Sequence, residues 1–172
     1  MPQLIKDRAL REDVWSLVRE PEAALPAGPA IVPLATWKAQ RESLLARGEV
    51  GVWLAPAEDP ADLAADVAQL ALVAVDFPQF TDGRGYSTAR LLRQRYGFKG
   101  ELRAIGDIQR DQLYYLHQVG FDAFAVRDDK DAQEALRSLR DFSDGYQSTN
   151  RRTPWFRRSG TDAPARSRSI LE

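Results

Sequence analysis

From residue 30 onward, short apolar runs alternate with stretches whose apolar side chains recur at helical spacing. AIVPL (30–34) precedes TWKAQRESLLARG, where Thr36 can cap a helix and Gly48 can end it. VGVWLAP (50–56) reads as a strand, and Asp59-Pro60 as an N-cap followed by a proline at the first helical position. Leu63, Ala64, Val67 and Leu70 then share one helical face. LALVAVDF (70–77) is an almost unbroken apolar run, as expected of a strand buried on both faces. A helix over 87–97, a strand over 101–107, a helix over 110–120 closed by Gly120 and a strand over 121–126 follow. Asp128 or Asp129 can cap a last helix that carries Ala132, Ala135, Leu136, Leu139 and Phe142 in phase.

Five βα units in succession predict an α/β fold with a mostly parallel sheet of about five strands flanked by helices. An open, flavodoxin-like three-layer sheet fits that count. The alternative is a partial (β/α) barrel, since a complete one needs roughly 200 residues or more. Leu4-Ile5 and Val14-Trp15 can form two short strands around KDRALRED, an edge hairpin. The expected organisation is an N-terminal hairpin and linker over 1–29, an α/β domain over 30–142 and a basic tail over 143–172 with the composition of a partly disordered segment.

Composition removes several chemistries. The 172 residues include no Cys and one His, His117. Disulfides, thiolate nucleophiles and cysteine-held metal clusters are therefore excluded, and a multi-His metal site is not expected. The net charge of −1 argues against a dedicated nucleic-acid binder. No apolar run reaches the ~18 residues of a membrane span, and MPQLIKDRAL lacks a signal-type apolar segment, so the expected location is the cytoplasm. The charge is uneven: residues 143–172 carry +3 and residues 1–142 carry −4.

Ligands of parallel α/β sheets bind at the carboxyl ends of the strands. Three loops lie there: DFPQFTDGRGYS (76–87), GDIQRDQ (106–112) and RDDKD (127–131). In the first, Asp76 ends a strand and Asp82, Gly83, Arg84, Gly85, Tyr86 and Ser87 lead into a helix. Free N–H groups at that helix start, with Arg84 beside them, suit a small anion such as phosphate, sulfite, sulfate or a carboxylate. The same residues also read as a glycine-shaped turn in which Asp82 caps the helix and pairs with Arg84, or as a docking loop. The segment is neither a P-loop nor a dinucleotide fingerprint. Asp107, at the next strand end, can face Asp76 for acid–base work or water-mediated Mg²⁺ binding, or can simply be an N-cap. His117 reads as a partly buried polar residue or a general base. Tyr114 and Tyr115 place one ring inward and one outward.

Beyond the periodic elements, Trp155, Phe156, Arg157 and Arg158 lie in a stretch rich in Pro and Arg. Such residues either clamp the tail onto the domain or anchor a partner.

The run DFPQFTDGRGYSTARLLRQRYGFKGELRAIGDIQRDQLYYLHQVGFDAFAV (76–126), with VPL and TW near 32–37 and the Arg pair of the tail, resembles the signature block of a bacterial family catalogued as domain of unknown function 934. Members are commonly labelled as probable oxidoreductases involved in sulfite reduction. The resemblance therefore implies an accessory protein of assimilatory sulfite reduction, with sulfite reductase as partner. Members often carry Arg-Cys before Gly-Phe-Asp-Ala-Phe; here Gln118-Val119 stand there, so this chain has no thiol at that place. The resemblance names no catalytic residues. No cofactor fingerprint is evident, and sirohaem or a flavin is expected only through a partner. The alternative from the residues themselves is a domain or enzyme that binds a small anion or phosphorylated ligand.

Overall fold

The computed structural model describes residues 3–126 and 132–139. Eight strands form one sheet: β1 (Gln3–Lys6), β2 (Ala9–Glu12), β3 (Ser16–Leu17), β4 (Ala30–Pro33), β5 (Val50–Leu54), β6 (Leu72–Phe77), β7 (Glu101–Gly106) and β8 (Ala123–Val126). Among the described residues four α-helices accompany them: α1 (Leu34–Arg47), α2 (Arg84–Arg90), α3 (Leu113–Val119) and α4 (Ala132–Ser138).

The spatial order is β2-β1-β8-β7-β6-β5-β4-β3. β3 to β8 run parallel in consecutive order, and β1 is antiparallel to both β8 and β2. The α/β class holds. A flavodoxin-like sheet, however, reverses its order at a switch point, and this one does not. Right-handed crossovers, the expected connection for parallel strands in consecutive order, would put the helices on one face, and the described helices do share one. Trp37 and Leu44 of α1, Ala89 of α2, Leu113 and Leu116 of α3, and Ala132 and Ala135 of α4 share one core with Val32, Val52, Val73, Val75, Phe77, Leu102 and Phe124. The result is a curled half-barrel, the partial-barrel alternative, with eight strands instead of five.

The curl follows from chain connectivity. β2 and β3 lie at opposite sheet edges, which a flat sheet would hold roughly 34 Å apart at ~4.8 Å per strand. The chain from Glu12 to Ser16 spans at most about 14 Å. The edges must therefore bend toward each other, and residues 13–15 cross the concave face. Asp13 reaches Arg103 of β7 there, with Nη1 2.8 Å from Oδ2. Trp15 packs with Ile31, Leu72, Ala74 and Ile105 in a second, smaller core. Strand alternation separates the two cores, so β6 is buried along its whole length, as its apolar run predicts.

Local chemistry explains where the boundaries differ from expectation. The N-terminal hairpin exists, but its second strand is Ala9–Glu12 and not the Val14-Trp15 segment. Its two-residue turn holds Asp7 and Arg8 at φ 50 and 61, a primed turn built without glycine. The hairpin is part of the main sheet, against β8. Thr36 does not cap α1, which starts at Leu34; its hydroxyl donates to the Pro21 carbonyl at 2.9 Å. Gly48 and Gly120 end their helices with positive φ. Asp59 caps the next element by accepting from the Ala61 N–H at 2.9 Å, yet only one 3₁₀ turn follows, Pro60–Leu63. The expected helix over 63–70 is a series of turns. There Asp66, buried, accepts from Trp37 Nε1 at 3.0 Å and from the Arg41 guanidinium.

After α2 the helix widens into a π-type turn, Leu91–Arg95, closed by the Tyr96 N–H on the Leu91 carbonyl at 3.0 Å. Arg93 points inward from it. Its guanidinium donates to the carbonyls of Phe98, Gly100 and Gly120 and pairs with Asp122 at 2.7 Å. Asp122 also accepts from the Leu102 N–H, so this one arginine ties the helix to β7 and β8. Among the described residues, no helix is long and apolar enough to cross a membrane.

The Arg41 hydrogen bond holds the Asp66 carboxyl below its usual range, against the opposing effect of burial. A lowered folded pKa stabilises the fold above the ~3.9 of an unfolded aspartate, and that stabilisation is lost as pH falls through the folded value. Asp66→Asn is expected to cost about 2 kcal/mol near neutral pH. Thermal melts should show the difference from wild type hold down to about pH 4 and shrink below it; a gap that does not change with pH would remove the carboxylate's role.

Candidate functional site

The carboxyl ends of β6 and β7 are adjacent, with Phe77 opposite Gly106 and Asp76 opposite Ile105. Alternation turns Phe77 toward the helices and Asp76 toward the concave face. Asp76 is 9% exposed. Its partner is Arg19, which follows β3 and reaches across, with Nη1 2.9 Å from Oδ1. That approach is an ion pair without an aligned hydrogen bond. The Arg19 side chain is 45% exposed and lies over Trp53 of β5, 5.3 Å from the ring centroid. Trp53 in turn donates its indole N–H to the Val18 carbonyl at 2.9 Å, which holds the segment before Arg19 against the sheet. Carboxylate, guanidinium and indole thus form the mouth of the half-barrel.

Deeper on the same face, Arg103 is 1% exposed between Glu101 at 2.7 Å and Asp13 at 2.8 Å, and Lys6 of β1 pairs with Glu101 at 2.7 Å. These charges fill the interior where a barrel carries packed side-chain layers.

Gly106 adopts φ +97, and a Cβ there would press into the Phe77 carbonyl and lie 3.0 Å from Asp76 Oδ1. Only glycine allows that approach. The next N–H, of Asp107, donates to the Phe77 carbonyl at 2.6 Å. Asp107 and Asp76 therefore share one end of the sheet but have different partners: Asp107 Oδ1 accepts from Gln109 Nε2 at 3.3 Å. Asp107 is not the helix cap. Gln109 caps, in a reciprocal box with Gln112.

The loop 78–83 distributes the remaining candidates. Asp82 accepts from the Arg84 N–H at 3.1 Å and pairs with its guanidinium at 2.7 Å, which draws the Asp82 carboxyl below its usual range. Arg84, 61% exposed at its side chain, is committed to this local pair, as in the turn reading of the loop. Gly83 precedes the helix, and Gly85 is required because a Cβ would enter the Phe77 ring. Tyr86 meets Phe77 edge to face at 5.8 Å, and burial pushes its phenol up. Ser87 lies on the outer face of α2. The structure thus brings Asp76 and Asp107 to one end, ties Asp82 to Arg84, uses Gly85 and Tyr86 for packing, and places Ser87 on another surface.

His117 is half-buried, with Nδ1 3.2 Å from the Phe121 carbonyl. Tyr115 is the outward ring of its pair. Trp155, Phe156, Arg157 and Arg158 lie outside the described residues, as do Asp128 and Asp129. Among the described residues no group of three His, Cys, Asp or Glu is placed to hold a metal ion.

Sequence reasoning missed Arg19, Trp53 and Arg103. Arg103 had a signal: a cation between Leu102 and Ala104 in a strand belongs to the opposite face from both. Arg19 had none, because its partner is far away in the chain.

Arg19→Ala leaves the Asp76 carboxylate without its counter-charge. The expected loss is about 1–2 kcal/mol at neutral pH, less than for a fully buried pair because Arg19 is half-exposed. Adding Asp76→Asn should recover part of it in urea unfolding; a double variant no more stable than the single one means that Asp76 does not depend on Arg19.

A family model matches residues 51–156 of this chain, more than half of its length; the family is described as bacterial protein of unknown function (DUF934). The match includes Trp53, Asp76, Glu101 and Arg103, and begins after Asp13 and Arg19. A comparison with curated proteins gives no match. The chain belongs to the DUF934 family.

Proposed function

We propose that this protein serves assimilatory sulfite reduction in the cytoplasm as an accessory protein acting with sulfite reductase. The observation that carries this reading is the long block 76–126, which lies within the family match and whose resemblance implies the sulfite-reduction label. A chain without Cys offers no thiol couple, so the oxidoreductase character implied by that label belongs to the complex, with sirohaem or a flavin supplied by the partner. Deleting the gene in its host should slow growth on sulfate or sulfite as sole sulfur source, with growth restored by sulfide or cysteine. Unchanged growth and unchanged sulfite reductase activity would overturn the proposal.

A second reading is a small-anion or phosphorylated-ligand site at the strand carboxyl ends. The half-exposed Arg19 guanidinium on Trp53 favours it. An anion would take the N–H groups that Arg19 turns to solvent and loosen its hold on Asp76. Sulfite, sulfate, phosphate and flavin mononucleotide can be compared by thermal shift. A binder at 100-fold its Kd should raise Tm by about 5 °C or more. Arg19→Ala should abolish the shift and Arg84→Ala should keep it, since Arg84 is held by Asp82. The opposite pattern would return the site to the Arg84 loop.

A further inference from the structure

Residues 83–100 contain Arg84, Arg90, Arg93, Arg95 and Lys99 and no acidic residue, in a chain of net charge −1. Two of these five cations are neutralised, Arg84 by Asp82 and Arg93 by Asp122. Arg90, Arg95 and Lys99 are exposed and have no carboxylate partner among the described residues. Arg90 donates to the Gln94 side chain at 3.0 Å, and Arg95 leans on Tyr96 with its guanidinium 5.8 Å from the ring centroid. Between them runs an open groove of about 360 Å³ lined by Ser87, Arg90, Leu91, Gln94 and Arg95. Its walls are cationic, its one apolar residue is the half-buried Leu91, and Ser87 and Gln94 supply neutral hydrogen-bonding groups. The π-type turn lies in this segment, keeping Arg93 inward while Arg90 and Arg95 stay outward.

We infer that this groove on the convex side is a docking surface for an acidic segment of a partner protein that also carries apolar side chains. Charge complementarity selects the occupant. Arg90 and Arg95, which have no carboxylate partner among the described residues, attract carboxylates, and residues 1–142, at −4 with these cations counted, repel a long polyanion such as a nucleic acid more than a short acidic segment; binding of a nucleic acid to so few cations would also fade steeply with salt. The chain's own residues 143–172 carry +3 and are repelled as well. An apolar side chain on Leu91 adds an interaction that salt does not screen. The surface supplies the accessory reading with a docking face, and rests on that reading only for which protein docks.

Full-length protein would be titrated into fluorescein-labelled twelve-residue peptides of repeating Glu-Glu-Leu, all Glu, and repeating Lys-Lys-Leu, and into an oligothymidylate of matched charge, by anisotropy at low and physiological salt. The Glu-Glu-Leu peptide should bind tightest and keep measurable affinity at physiological salt. Arg90→Glu with Arg95→Glu should weaken it about tenfold or more, Leu91→Ser about threefold or more, and Arg84→Ala less than about twofold. Arg84, Arg90 and Arg95 are exposed and Leu91 is half-buried, so unchanged circular dichroism and Tm would show that the fold is intact. Equal binding by the double variant, tighter binding of the oligothymidylate, or no preference for Glu-Glu-Leu over all Glu would overturn the inference. So would a dimer in sedimentation that the same double variant dissociates, which would assign the groove to a second copy. Peptide binding with normal growth of the deletion strain on sulfate would leave the surface standing and remove only the sulfite reading.

Discussion

Arg103 stands 1% exposed in β7, between the parallel strands β6 and β8, where a guanidinium is costly unless carboxylates are brought to it. Glu101 comes from the same strand, two residues away, and is itself paired with Lys6 from the antiparallel hairpin. Asp13 comes from the short link between the two sheet edges. That second carboxylate couples electrostatics to topology. A link that must deliver a carboxylate to β7 cannot pass around the outside of the sheet. It crosses the concave face, Trp15 fills the space behind it, and both edges bend toward it. Arg19 emerges from this path at the mouth, within reach of Asp76. The short link sets the curl, and the charge it carries to Arg103 fills the interior on the way to the mouth.

What the sequence made legible was local. Gly48, Gly120 and the Asp59-Pro60 pair each act through the residues next to them, and each lies where that chemistry places it. The apolar run of β6 predicts burial on both faces, and both faces are covered. What stayed hidden was set by contacts distant in sequence. Asp7-Arg8 has no turn glycine or asparagine; it is held left-handed because β1 must pair with β2 and β8 together. Asp66 replaced the expected helix with turns because Trp37 and Arg41, on another element, hold it. Strand order could not be read at all, since the same βα rhythm serves a doubly wound sheet and a barrel.

The loop 76–87 shows the same division in chemical terms. Its glycines and arginine read as an anion cradle or as a turn, and the residue that bears on the choice is two positions from Arg84. Asp82 accepts both the backbone and the side-chain donors of Arg84, so the strongest local cation is already satisfied. A guanidinium paired in this way gives little to a ligand unless the ligand outcompetes a neighbouring carboxylate at no entropic disadvantage. Arg19 is paired as well, but across elements, half in solvent and on an indole face. Under the anion reading, the donors that Arg19 turns to solvent are the ones that would meet the ligand at the strand ends.

Asp76 and Phe77 are consecutive, and strand alternation sends them to opposite faces. Asp76 faces the mouth with Arg19 and Trp53, while Phe77 receives Gly85 and Tyr86 and so fixes where α2 begins. From that start, helical periodicity carries Ser87, Arg90, Leu91, Gln94 and Arg95 to the outer surface. The concave mouth and the convex groove are therefore joined through one strand end while lying on opposite sides of the sheet. A small ligand at Asp76 and a protein segment along Arg90 and Arg95 would not exclude each other sterically. The two proposed readings, a small ligand at the mouth and a protein segment on the groove, are therefore compatible in one chain.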